Sequence, residues 1–400
     1  MWWARQPAAI SPTIPSSPSK LLTLNSKLLT LLKRIAIATS TRADWGLLYP
    51  LVKELSERGI KPLIIATYAH LLPEMGDTIQ ELVADGFPPT MSVPARIAIK
   101  DAIGDTVTGF SKALKFLNPD ALVILGDRAE MLGVATAALL ERVPIAHIAG
   151  GTVSEGAIDD AIRNSISQMA TYHFPETEKG RRRLILGGAR PENVLTAGAL
   201  GVYNTKAVEE IPLKDLEASL DFELGQQYLL GTFHPATLSP LTPLEQMSIW
   251  LEGLQDALDE NPELKILLTF PNTDTDPTSL LSLMFTFQSS NAGRVKVVSS
   301  LGRVRYINAA RHAAVVAGNS SSGIVELPSL GVPVIDIGVR QQGRQRSKAV
   351  IHCGLDSAEI AKAISYALTP EARKRAGTAP NPYAKDSTPA LIADFLIAKN

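Results

Sequence analysis

Beyond residue 33 the chain alternates short, continuous apolar runs with amphipathic stretches, and few folds accept that pattern. RIAIAT (34–39), KPLIIAT (61–67), DALVILGD (120–127), VPIAHIAGG (143–151) and TYHFP (171–175) read as strands that are apolar on both faces. Between them, GLLYPLVKELSERG (46–59) sets Leu47, Leu48, Leu51, Val52 and Leu55 on one helical face and stops at Gly59. Stretches 101–117, 129–142 and 159–170 are also helical, and ENVLTAG (192–198) closes this half. The pattern then restarts with YLLGTFHP (228–235), LKILLTFPN (264–272), VKVVSS (295–300), AAVVAGNS (313–320) and VPVIDIG (332–338), separated by helical stretches such as 243–259 and 358–368. Strands apolar on both faces belong to parallel sheets that helices cover from both sides. The expected fold is therefore α/β. Two Rossmann-like domains, 34–204 and 205–369, hold parallel sheets facing each other across a cleft, and a ligand should sit at the carboxyl ends of the strands.

Composition removes several functional classes. Lysine and arginine total 39 against 40 aspartates and glutamates, and the balance lacks the basic excess that nucleic acid or an anionic membrane demands. No apolar run reaches the roughly 20 residues of a membrane span. Cys353 is the sole cysteine, so no internal disulfide can form; this fits a reducing compartment, and a cytoplasmic location is expected. The histidines are scattered without metal-ligand spacing, and no metal or other cofactor is expected. The proline- and serine-rich residues 1–33 read as an extension outside the fold, either disordered or the product of an overlong start.

Polar residues gather just after the strands. In STRADWG (40–46), Arg42 stands where a helix start favours anions, although Asp44 as a helix cap and Arg42 as a surface residue fit equally well. In GDRAE (126–130), Asp127 at a strand end suits a general base or a helix cap, and Arg128 suits a phosphate. In HIAGGTVSEGAIDDAIRNS (147–165), Gly150 and Gly151 allow close backbone approach. His147, Glu155 and Asp159 can all face the cleft there, while Asp159 and Asp160 can also serve a helix start. His234 and Asn272 each follow a strand of the second half. In AGNSSSGIVELPSLGVPVIDIGVRQQGR (317–344), Ser320, Ser321 and Gly323 form a donor-rich turn suited to phosphate oxygens. Glu326 lies one turn on, placed to accept from ribose hydroxyls, and Arg340 follows the next strand.

In this order TRADWGLL, LGDRAE, HIAGG with EGAIDDAIRNSIS, HP, FPNTD and GNSSSGIVELPSLGVPVIDIGVRQQGR resemble the motifs of the hydrolysing UDP-N-acetylglucosamine 2-epimerases, from about Arg34 to the NPYAKDST segment at 381–388. The resemblance implies the glycosyltransferase-B architecture, with a C-terminal helix (about 370–400) returning to the first domain. It implies a UDP-sugar substrate and a homo-oligomer, dimer or tetramer. It implies elimination of UDP to a glycal followed by hydration, giving UDP and ManNAc from UDP-GlcNAc. Asp127 and Asp159 match the family's catalytic aspartates and His234 its histidine near the diphosphate. Arg42, Arg128, Asn272, Ser320, Ser321, Gly323, Glu326 and Arg340 match its nucleotide-sugar contacts, with Glu326 on the ribose.

The sequence departs from that pattern in one loop. Ala149 and Thr152 stand where family glutamates are common, and Glu155 and Asp160 are the nearest carboxylates left. Either the loop supplies Glu155 to share the catalytic work, or the substrate differs, or catalysis is weakened. Four alternatives stay open: the same chemistry on UDP-2,4-diacetamido-2,4,6-trideoxyglucose, a non-hydrolysing epimerase, a glycosyltransferase, and a non-catalytic binder of sugar nucleotides.

Overall fold

The computed structural model describes residues 34–76, 78–154, 158–271 and 277–398. The extension 1–33 and the site candidates Glu155 and Asn272 lie outside the described residues. The first six strands are β1 (Ile35–Thr39), β2 (Leu63–Thr67), β3 (Met91–Val93), β4 (Ala121–Leu125), β5 (Ile145–Ile148) and β6 (Tyr172–Phe174). They form one parallel sheet in the order β3-β2-β1-β4-β5-β6. The next six are β7 (Tyr228–Thr232), β8 (Lys265–Thr269), β9 (Val295–Val298), β10 (Val315–Gly318), β11 (Val334–Ile337) and β12 (Val350–Cys353). They form a second parallel sheet, β12-β11-β10-β7-β8-β9. Counted from its own first strand, each sheet has the same order. In each, the direction in which successive strands are added reverses between the first and fourth strands, β1 beside β4 and β7 beside β10. Crevices open at such points beyond the carboxyl ends, and the clusters at 40–46, 126–130, 231–240 and 317–323 stand beside them.

The central strands β1, β7 and β10 are buried along their whole length, as their unbroken apolar runs require. Helices close both faces of each sheet over two apolar layers. The helix Thr388–Ala398 inserts fully buried Ile392, Ala393 and Leu396 into the first domain's core, where Phe395 meets Phe174 edge-on at 5.2 Å. The helix Leu200–Ala207, in which the boundary at 204 falls, gives Leu200 to the first core and Val202 to the second.

ENVLTAG, which closes the first half, follows a short turn at Pro191–Asn193 and makes a single bridge between His173 and Val194. The edge strands β3 and β12 were not expected, because each is short and partly exposed and so lacks an unbroken apolar run. The first helix begins at Arg42 rather than Gly46. Thr41 caps it by accepting from the Asp44 amide at 3.3 Å, and the helix continues through Pro50.

Candidate active site

The turn after β4 carries Asp127, whose carboxylate accepts from Arg163. Arg163 is 1% exposed on the helix Asp159–Met169. It also donates to the Thr152 carbonyl at 2.9 Å, to Ser154 Oγ at 3.1 Å and to Asp160 Oδ1 at 3.4 Å. Burial pulls its guanidinium down to about 9, with Arg344 nearby adding to the fall. A buried cation left alone is costly, so this hub needs its carboxylates. The two aspartates that open the helix are thereby separated in role. Asp160 accepts from the Ser154 amide at 2.9 Å and from Asn164 at 3.0 Å, and pairs with Arg183 at 3.5 Å. Asp159 is half-buried, and its side chain has no hydrogen bond or ion pair among the described residues.

His147 does not face the cleft. It is fully buried on β5, bonded to the Gly126 carbonyl and to Ser167, because its strand position points it into the domain. Ala149, where the resemblance leads one to expect glutamate, takes a left-handed backbone (φ 65°) that few non-glycine residues adopt. Thr152 donates to Glu176 at 3.3 Å, so a carboxylate from the segment after β6 reaches that position. Burial raises the Glu176 carboxyl, while Arg344 and Arg163 oppose the rise.

Arg128 occupies the N-cap position of the next helix and is anchored through Nε to Glu130 Oε1 at 2.7 Å. Glu130 is 1% exposed and accepts from Ser40 Oγ at 2.6 Å, which also lies 2.7 Å from Asp44 Oδ2. Burial raises the Asp44 carboxyl, and Arg128 offsets part of that. Arg42 is exposed at the start of its helix, close enough to Glu81 to lower that carboxyl against its burial.

In the second domain, Asn319 clamps the turn after β7. It accepts from the His234 amide and donates to the His234 carbonyl, each at 2.7 Å. Arg340 and Gln341 reach the Asn319 carbonyl at 3.2 and 2.9 Å, so the turns after β7, β10 and β11 meet at one residue. Burial, and then Arg340, pushes His234 down to about 3, leaving a neutral imidazole. Gly318 (φ 144°) permits this approach, since a Cβ there would stand 1.9 Å from the Thr232 carbonyl oxygen. Ser320 occupies the N-cap position of the short helix Ser321–Val325, and its Oγ lies 3.3 Å from Ser322 Oγ, which is 2.5 Å from Tyr306 OH. Gly323 is buried against Val334, and Ser321 is exposed. Glu326 lies at the seam with its carboxyl on Gly201, where an added Cβ would be 2.2 Å from Oε1. Burial and Glu176 push it up to about 7, against Arg344.

The structure thus gathers Asp127, Arg128 and Asp159 at the end of the first sheet, and His234, Ser320, Gly323 and Arg340 at the end of the second. Arg163, Glu176, Asn319 and Arg344 were not singled out as site residues. Arg163 was visible only as a cation one turn inside the helix. Among the described residues no cluster of three histidine, cysteine or acidic groups could hold a metal, and no helix is long and apolar enough to cross a membrane.

Two parallel-sheet domains of this order, with polar turns at both reversal points, define the glycosyltransferase-B architecture. The family model described as UDP-N-acetylglucosamine 2-epimerase matches residues 53–397, and the chain belongs to that family. It is 35% identical over 326 residues to the GDP/UDP-N,N'-diacetylbacillosamine 2-epimerase (hydrolyzing) of Campylobacter jejuni, covering 80% of this chain and 84% of the relative. It is 31% identical over 345 residues to the UDP-N-acetylglucosamine 2-epimerase of Neisseria meningitidis, covering 84% and 88%. The fold superimposes on the Methanocaldococcus jannaschii UDP-GlcNAc 2-epimerase, solved with UDP-GlcNAc and UDP. The TM-score is 0.74 at 19% identity, over 91% of this chain and 99% of that one.

Proposed function

We propose that the chain is a hydrolysing 2-epimerase of a UDP-2-acetamido sugar. The observation that carries the reading is the pairing of two differently supported aspartates at one sheet end with an arginine, a neutral histidine and a hydroxyl turn at the other. Asp159 is the carboxylate not engaged by described neighbours, and Asp127 accepts from Arg163; both suit proton transfer at C2. One of them removes the C2 proton. The C–H electron pair forms the C1–C2 double bond, and the C1–oxygen bond breaks to release UDP. Arg128 and Arg340 stabilise the charge that develops on the diphosphate, and the neutral His234 ring offers it a hydrogen bond. Water then gives its oxygen to C1, and a proton returns to C2 from the opposite face, leaving a free sugar inverted at C2.

Sequence reasoning put UDP-GlcNAc first. We favour the 2,4-diacetamido-2,4,6-trideoxy sugar, because a relative named for diacetylbacillosamine is 35% identical and one named for UDP-GlcNAc 31%. UDP-GlcNAc is the second reading. The test is proton NMR of the protein with each UDP-sugar in heavy water. Free UDP with a C2-deuterated, C2-inverted sugar supports the assignment. Retention of UDP on the inverted sugar would replace it with a non-hydrolysing epimerase. Turnover only with an added acceptor would mean a transferase, and UDP binding without turnover a non-catalytic binder. Asp127→Asn should abolish turnover while keeping UDP affinity.

A further inference from the structure

His147 lies beneath the site, and its ring touches both elements that carry the site's aspartates. Nε2 is 2.7 Å from the Gly126 carbonyl oxygen. A carbonyl only accepts, so Nε2 holds the ring proton and Nδ1 is bare. Ser167 then donates its hydroxyl to Nδ1 at 3.0 Å. Gly126 immediately precedes Asp127 and turns the chain with φ 71°. Ser167 lies on the helix that opens with Asp159 and carries Arg163. The loop closes over the ring at Gly150, where a Cβ would meet Ser167 Oγ at 2.8 Å and His147 Nδ1 at 3.0 Å. Both His147 and Ser167 are buried, at 0% and 5% exposure, so water cannot substitute for either bond.

We propose that His147 is a positioning residue: its single neutral tautomer ties the Asp127 turn to the Asp159 helix and sets the spacing of the two carboxylates. The proposal rests on the reading that these two carboxylates act on one sugar. The ring touches no reacting atom, and its effect passes through the Gly126 carbonyl on one side and Ser167 on the other. Burial holds the imidazole neutral by lowering it to about 4, so the tie persists at ordinary pH.

Two amides divide the ring's bonds. A glutamine places its side-chain nitrogen near the Nε2 position and can still donate to Gly126. An asparagine reaches only the Nδ1 position and keeps a group at Ser167 alone. In the full chain, His147→Asn should lower kcat on the order of 10²-fold, the scale set by a misplacement of about 1 Å. His147→Gln should lose less than about tenfold, and KM and UDP affinity should stay within about twofold in both. Ser167→Ala, which keeps the ring, should cost kcat several-fold at unchanged KM. The ¹⁵N spectrum of the wild-type ring should show protonation at Nε2. Equal losses in the two ring variants, full kcat in Ser167→Ala, or a ring protonated at Nδ1 would each overturn the proposal. Failure of the wild-type protein on every UDP-sugar overturns the reaction assignment instead, and the ring's tautomer still decides whether the tie exists.

Discussion

Asn204 donates to the Gly46 carbonyl at 2.8 Å, and Gly46 is the residue whose helical partner would be the missing N–H of Pro50. A proline inside a helix normally leaves such a carbonyl to water. Here the freed acceptor lies on the first helix, and the donor comes from the seam helix Leu200–Ala207, so a helix defect has become a contact between elements. Asn204 is 3% exposed, and its amide has few other partners to choose.

Asn204→Ala should therefore lower stability by about 1 kcal/mol, the net worth of one such bond. Pro50→Ala restores the helical donor and should make the asparagine dispensable. In a denaturant-unfolding double-mutant cycle, the loss from Asn204→Ala should shrink in the Pro50→Ala background. Strict additivity would show that the two residues do not share the carbonyl.

Arg163→Met should destabilise the protein by about 3 kcal/mol or more, because Asp127 loses its cation and Asp160 is left with Arg183. Asp127→Asn in the same chain should recover part of that loss, since the stranded charge is gone. Chemical denaturation of the four proteins in the cycle measures the coupling. A loss no larger than that of an exposed ion pair, under about 1 kcal/mol, would remove Arg163 from its place as the hub.

Most of the sheet architecture was legible because β1, β4, β7 and β10 are continuous apolar runs with no competing helical period. The edges were not, since Met91–Val93 and Val350–Cys353 are too short and too exposed to leave a pattern. Asp127, His234, Ser320 and Arg340 were legible as candidates because a polar residue within three positions of a buried strand's end is a local signal. What spacing does not encode is the direction of a side chain on a neighbouring element. Asp159 and Asp160 look equivalent in sequence, yet one joins Arg163, Ser154 and Asn164 and the other does not. His147 was misread for the same reason: adjacency to a glycine turn does not say which side of the strand the ring occupies. Glu176 and Arg344 reach the site only through the folding of separate segments against each other.

Acid should destabilise the protein through its buried histidines. Burial lowers His70, His147 and His173 to about 4 and His234 to about 3. Unfolded, each binds a proton near pH 6.5. Below that pH the unfolded chain holds more protons, so the stability these groups provide is full above about 6.5 and drains as pH falls toward 4. Thermal midpoints should be level from pH 7 to 8 and fall steeply below 6. Replacing His173 with Gln should flatten that fall, and an unchanged acid limb would exclude this ring as a contributor.

Glu326 acts in the opposite sense, and its contact with Gly201 ties the effect to the site. Its carboxyl is raised to about 7, so the folded protein holds a proton that the unfolded chain releases near pH 4.5. The stability this provides is full below about 4.5 and is lost as pH rises through 7. Glu326→Gln should therefore gain on the wild type by on the order of 2 kcal/mol between pH 5 and 8. Gly201→Ala tests the placement directly, since its Cβ would fall 2.2 Å from Oε1 and the flexible carboxyl must move aside. The fold should survive, while UDP affinity by calorimetry should drop roughly tenfold, about 1.4 kcal/mol, if the carboxyl holds the ribose. Unchanged affinity in Gly201→Ala and Glu326→Gln together would remove Glu326 from nucleotide binding and leave it as a contact between the two halves of the chain.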